Sequence, residues 1–226
     1  MMRRRLFPAV MVVIVAITAV WLVRQLSRSP EPAPAADATP ARSSTATVPA
    51  APAALAVEPA PRTAADEADR VLKALQTRNM DELAAHVHPV KGLRFSPYIH
   101  IDPKRSVVLQ AGELATALED PRPRRWGSED GTGDPIVRSF ASYFMRFVYD
   151  RDFASAPQRR VNEFGGKSTT KPNVREIYPD ATVIEAHVPG AKPEYGGLDW
   201  ASLLLVFEHY ESRWYLVALV HDQWTI

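Results

Sequence analysis

Trp200-Ala201-Ser202-Leu203-Leu204-Leu205-Val206-Phe207, followed after a polar break by Trp214-Tyr215-Leu216-Val217-Ala218-Leu219-Val220, is the stretch that decides the fold of this chain. Two apolar runs joined around Glu211-Ser212-Arg213 read as an antiparallel hairpin. The first run is apolar at consecutive rather than alternate positions, the pattern of a strand buried on both faces. Such a hairpin needs neighbours in its sheet and cover on each side. Upstream, Ala181 to Val188 keeps a period of two through Val183, Ala186 and Val188, and Gln158 to Phe164 alternates more weakly.

The cover comes from the first half of the same region. Thr63 is a helix cap with Asp66 and Glu67 in the first turn, and Ala68, Val71, Leu72 and Leu75 recur at helical spacing. Met80-Asp81-Glu82-Leu83 restarts a second short helix that ends before His88-Pro89. Gly92 to Ile101 reads as extended or turning, Glu113 to Glu119 as a further short helical stretch, and Gly127 to Pro135 as a polar loop. Ser139 to Asp150 is an amphipathic helix with Phe140, Tyr143, Phe144, Phe147 and Val148 on its apolar side. Helices first and strands after argue an α+β domain over 63–226, with about three helices packed on a curved antiparallel sheet.

Two other regions precede that domain. Arg3, Arg4 and Arg5 lead into an uncharged apolar run from Leu6 to Val23, closed by Arg24 and Arg28. Its eighteen residues cover about 27 Å at the helical rise, close to one bilayer core. The run is too long for the apolar part of a cleavable signal peptide and ends in Trp21-Leu22-Val23-Arg24, a poor cleavage context. Residues 1–28 are therefore expected to be a cytoplasmic stub and a transmembrane signal anchor. The arginine bias favours a single pass across the bacterial inner membrane with the C-terminal domain in the periplasm or extracytoplasmic space. Residues 29–62, with eight of the twenty prolines and little besides Ala, Ser and Thr, read as a disordered Pro/Ala linker.

Composition narrows function by exclusion. The chain has no cysteine, which removes a lipoprotein's cysteine-linked anchor, disulfides, thiolate zinc sites and thiol nucleophiles. Seven of the 27 Lys and Arg and three of the 26 Asp and Glu precede Thr63, leaving 20 against 23 and a net of −3 for the domain. No nucleic-acid partner is expected from that balance. The cluster Arg122, Arg124 and Arg125 beside Trp126 reads as a solvated loop.

The order of helices and terminal hairpin resembles the nuclear-transport-factor-2-like (SnoaL-like cone) superfamily over most of residues 64–226. A nearer likeness is to uncharacterised bacterial exported domains sharing HPxxGxRFSPY, WGxxDGxG and a terminal HDQWTI. Here these are His88 to Tyr98, Trp126 to Gly133 and His221 to Ile226. The resemblance implies a sheet wrapped around helices to form a cone, with an apolar pocket at its open end. It carries no activity with it.

Within such a cone, His88, Arg94, Tyr98, Asp199, Trp200 and His221 are the candidate ligand-binding residues. Arg94 is suited to clamp a carboxylate or phosphate, or else to pair with an acid such as Asp199 or Asp130. His88, Tyr98, Asp199 and the pair His221-Asp222 have the chemistry of general acids and bases, as in cone-fold hydrolases and isomerases. Adjacent strand residues point to opposite faces, however, so His221 and Asp222 are not expected to meet. His86 and His88 at a helix end are separated by about 200° and do not form a metal pair. The loop Glu129 to Asp134 lacks the full ligand series of an EF-hand. No metal and no cofactor are expected. Trp200, Trp214, Tyr215 and Trp224 on the hairpin, with Tyr98 and Trp126 in loops, suit a pocket rim or interface. The expectation is a membrane-tethered extracytoplasmic binding domain for a small molecule, peptide or envelope component. A scaffold of an envelope complex is the alternative, and a hydrolase or isomerase the third.

Overall fold

The computed structural model describes residues 62–164 and 168–225. The segment Leu6 to Val23 expected to be an anchor and, except for Arg62, that expected to be a linker lie outside the described residues. Among the described residues no helix is long and apolar enough to cross a membrane.

The described residues form five α-helices and eight strands. Helix α1 (Ala64–Thr77) begins at a capping box in which Thr63 Oγ1 accepts from the Asp66 amide and Asp66 accepts in return from the Thr63 amide. It ends where Arg78 turns left-handed at φ 53°. Asn79 then caps α2 (Met80–Ala85) through the Glu82 amide. Strands β1 (Leu93–Ser96) and β2 (Val107–Leu109) follow, then α3 (Ala111–Ala115), β3 (Arg124–Ser128), β4 (Pro135–Arg138) and α4 (Phe140–Phe147). The second half supplies β5 (Gln158–Val161), α5 (Val174–Ile177), β6 (Thr182–Val188), β7 (Ala201–Tyr210) and β8 (Arg213–Gln223).

Six strands form a curved sheet in the order β2-β1-β8-β7-β6-β5, and β3 pairs with β4 apart from it. The hairpin β7–β8 is its axis, and all of the first seven residues of β7 are buried, as the unbroken apolar run requires. The sheet is mixed rather than wholly antiparallel: β1 runs parallel to β8. Almost the whole domain separates these two strands in sequence, ample for the long crossover that a parallel pair needs. Residues 127–135, read from sequence as loop, contribute to a hairpin with Arg124 opposite Arg138 and Ser128 opposite Pro135. Each of its strands has one large buried side chain, Trp126 or Ile136, too few to show a period.

The two faces of the sheet are covered differently. On the first, Leu203, Leu205, Phe207, Leu216 and Leu219 pack against α1, α4 and the ring cluster described below. On the second, Leu204, Val206, Val217, Ala218 and Val220 lie under Ile99, Ile101, Val174 and Tyr178. Asn173 pins part of this cover by exchanging two side-chain hydrogen bonds with the Ile101 backbone, at 2.8 and 2.9 Å.

Candidate functional site

The first face of the sheet is filled. Trp126 and Tyr143 stack with centroids 4.1 Å apart, and Phe95 meets Trp126, Phe140 and Tyr143 edge-on at 5.8, 5.5 and 6.2 Å. Phe144, Phe147 and Phe153 complete a set of rings that are all less than 2 % exposed. Helix α4 aligns four of them because Phe140, Tyr143, Phe144 and Phe147 share one helical face. Trp126, expected in a loop, donates its indole N–H to the Arg138 carbonyl at 2.8 Å.

The six candidate residues do not meet in one cavity. Tyr98 and His221 both touch the Phe147 ring, with centroids at 5.8 and 6.1 Å. Tyr98 donates its hydroxyl to Glu129 Oε2 at 2.7 Å. Burial and then that carboxylate push its pKa up to about 12. His221 is fully buried, with Nε2 2.9 Å from Asp150 Oδ1. Burial works against the Asp150 charge, but the His221 contact, the Arg151 charge and a backbone hydrogen bond together outweigh it and leave the carboxyl below its ordinary range. This His–Asp pair has the geometry of a base and its orienting acid, yet phenyl rings of Phe147 and Phe153 close over the imidazole.

The other four lie elsewhere. His88 accepts hydrogen bonds at Nδ1 from the amides of Val90 and Lys91, both at 3.1 Å, and burial holds its pKa below the ordinary value. Its ring packs beside Tyr210 and Tyr215 near the hairpin turn. Arg94 is on the second face, where it donates to Tyr178 Oη, Ser106 Oγ and the Pro103 carbonyl. Its partners are neutral oxygens instead of Asp199 or Asp130, because β1 directs it toward the cover segment and away from both loops. Trp200 is buried with its ring 5.8 Å from His187. Asp199 accepts from the amides of Ala191 and Lys192 at 3.1 and 3.2 Å and so fastens the loop before β7. The loop is tight there: a Cβ at Gly190 would stand 2.4 Å from Asp199 Oδ1 and 2.7 Å from the Gly197 carbonyl.

Sequence reasoning missed a polar group in the middle of the sheet. Ser202 Oγ lies 2.8 Å from His187 Nδ1, and Asp222 faces Ser202 across β7–β8. Glu185, two residues from His187 on the same face, receives Arg160 at 2.9 Å. The Ser–His contact resembles an activated nucleophile, but Ser202 is fully buried and His187 nearly so, which denies access to a substrate. His86 is likewise structural, held between Glu67 at 2.8 Å and Glu82 at 3.3 Å. Among the described residues no cluster of three or more metal-ligating side chains occurs. Arg122 and Arg124 of the basic cluster both engage Asp120.

What the surface does offer is an apolar rim at the open end of β7 and β8. Tyr195, Leu198 and Trp224 are 50, 47 and 37 % exposed and, with Glu194 and Asp199, line a hollow of about 360 Å³. Pro193–Tyr195 forms a single 3₁₀ turn, ended by Gly196 at φ 57°, and Lys192 lies 5.2 Å from the Tyr195 ring. The cue in the sequence was the tail Gln223-Trp224-Thr225, where a tryptophan stands among polar residues after the strand pattern stops.

No family model and no curated protein matches this chain. Among solved structures, a protein of Xanthomonas campestris described as a calcium/calmodulin dependent protein kinase II association domain aligns at 13 % identity. The alignment covers 72 % of this chain and 89 % of that one with a TM-score of 0.30, an overlap too loose to support any inference.

Proposed function

We propose that this is a binding domain of a cell-envelope assembly, tethered by the Leu6 to Val23 anchor and acting on the outer side of the cytoplasmic membrane. The rim of Tyr195, Leu198 and Trp224 is the surface it presents to a protein partner. The observation that carries this reading is the filled first face of the sheet: with Trp126, Phe95, Phe140, Tyr143 and Phe147 packed together, the interior holds side chains in place of a ligand. Helices on one face of a curved sheet support a cone of the nuclear-transport-factor-2-like kind, but a solid one. Exposed large apolar groups gathered at one edge are the usual mark of a protein contact. Capture of a small molecule among His88, Arg94, Tyr98 and His221 has less support, because those side chains serve separate structural contacts. Hydrolysis or isomerisation has less still.

The test uses the full chain extracted from membranes in mild detergent and sized by native chromatography. The unaltered chain is expected in a particle larger than its own detergent-bound form. Leu198→Asp is expected to return it to the free size with an unchanged melting temperature. A free-sized parent chain, or an assembly indifferent to Leu198→Asp and Trp224→Ala, would overturn the proposal.

A further inference from the structure

The tip of the β7–β8 hairpin and the point where the chain joins the domain lie at the same end of the sheet. Arg62, Thr63 and Ala64 line a groove of about 570 Å³ together with Val161, Ser212 and Trp214. On the opposite face of the hairpin, a second hollow of about 340 Å³ is bordered by His88, Val90, Lys91, Glu208 and Tyr210. His209 borders both. The rim of Tyr195 and Trp224 is at the far end, since Ala201 pairs with Gln223 there and Tyr210 with Arg213 here. Ten residues of β7 separate the two ends by about 30 Å.

The chemistry of the near end is amphipathic. Val90 and Val161 are 68 and 54 % exposed, and Tyr210, Trp214 and Tyr215 are half-buried around the turn. Arg213 lies over the Tyr215 ring at 5.1 Å, with its guanidinium exposed. Tyr and Trp bodies with polar tips, beside valines and a long cationic side chain, suit the boundary between lipid tails and headgroups. Sixty-one residues, including the apolar run of eighteen, precede Arg62, so the chain is led to the domain at this end. Charge contributes little. Arg62, Lys91 and Arg213 are balanced by Asp180, Glu208 and Glu211, and Lys91 is paired with Glu208.

We propose that the hairpin-tip end of the domain rests in the interfacial layer of the bilayer, with Val90, Val161, Tyr210, Trp214 and Tyr215 as its apolar footing. This rests on the anchor reading above. It orients the domain so that the rim of Tyr195, Leu198 and Trp224 points away from the membrane. Because the local charges cancel, the contact does not depend on anionic lipid.

The cysteine-free chain makes the test direct. Single nitroxide labels at Ser212→Cys and, as the far-end control, at Thr132→Cys, in the β3–β4 loop that Thr225 bonds through Asp130, are placed on the full chain in phosphatidylcholine nanodiscs. Collision with oxygen, which concentrates in lipid, is compared with collision by a water-soluble nickel chelate. The ratio at position 212 is expected to exceed that at 132 several-fold, to be unchanged when phosphatidylglycerol is added, and to fall toward the control in Val90→Glu. A label at 212 as open to nickel as that at 132 would overturn the proposal. So would one shielded from both reagents, which would mean a protein contact. Retention through an alkaline carbonate wash reports on the anchor separately. A chain that washes off, yet keeps a high oxygen ratio at 212 when vesicles are present, would remove the anchor and leave the footing.

Discussion

Asp222 shows what one buried carboxyl does to the molecule. It faces Ser202 on β7, with Glu185 and His187 on β6, Arg160 reaching Glu185 from β5, and Ser168 from the covering segment. Burial first, and then the Glu185 charge, push its pKa up to about 7 from an ordinary 3.8, against the opposing hydrogen bond from Ser168. The fold therefore favours the protonated acid. Its stabilisation is complete below the unfolded pKa and is lost as the pH rises through about 7. Asp222→Asn keeps a neutral group in place, so the variant should hold its melting temperature between about pH 5.5 and about pH 8 while the parent loses several degrees. Identical profiles would contradict this. Tyr143 gives a second residue-level expectation. Its hydroxyl is fully buried without a hydrogen-bond partner among the described residues. Tyr143→Phe should be neutral or stabilising by up to about 1 kcal/mol in urea unfolding. His86→Ala should cost about 3 kcal/mol, because it leaves Glu67 buried with only the more distant Arg62 nearby.

At the scale of elements, the terminal hairpin is legible in sequence because its apolar runs are long, and a strand covered on both faces tolerates no other pattern. The turn that joins them is less favourable than it need be. Glu211 and Ser212 sit at φ 51° and 93°, the left-handed pair of a type I′ turn, where Asn-Gly is preferred. Replacing Glu211-Ser212 by Asn-Gly should raise stability by about 1 kcal/mol in urea unfolding. No gain would show that the turn is strained in some other way. Helix α4 was readable from its ring spacing, whereas β3 and β4 were hidden because a strand of four or five residues with one buried side chain has no measurable period. Ser202 and His187 are not singled out in sequence for a related reason, and Asp222 is read there beside His221, which lies on the opposite face of the sheet. Polar residues inside a strand read as its solvent side, and only the cover on the second face by Phe164, Ser168, Val174 and Tyr178 turns them inward. Arg94 was picked out as a clamp because sequence shows its chemistry but not its direction.

Taken whole, the domain has a filled interior and two dissimilar ends. One carries Arg62 and the start of α1 beside the aromatic hairpin turn, and the other carries the apolar rim. The filled interior explains why candidate residues chosen for their chemistry are dispersed into separate structural contacts. The decisive experiment is photo-cross-linking of the full chain in cells, with a benzophenone amino acid at Leu198, at Val90 or, as a control, at Lys104, an exposed turn residue between β1 and β2. The account predicts a discrete protein adduct from position 198, lost in Trp224→Ala, with none from 104 and no protein adduct from 90. Adducts of equal strength from all three positions, or none from 198, would contradict it.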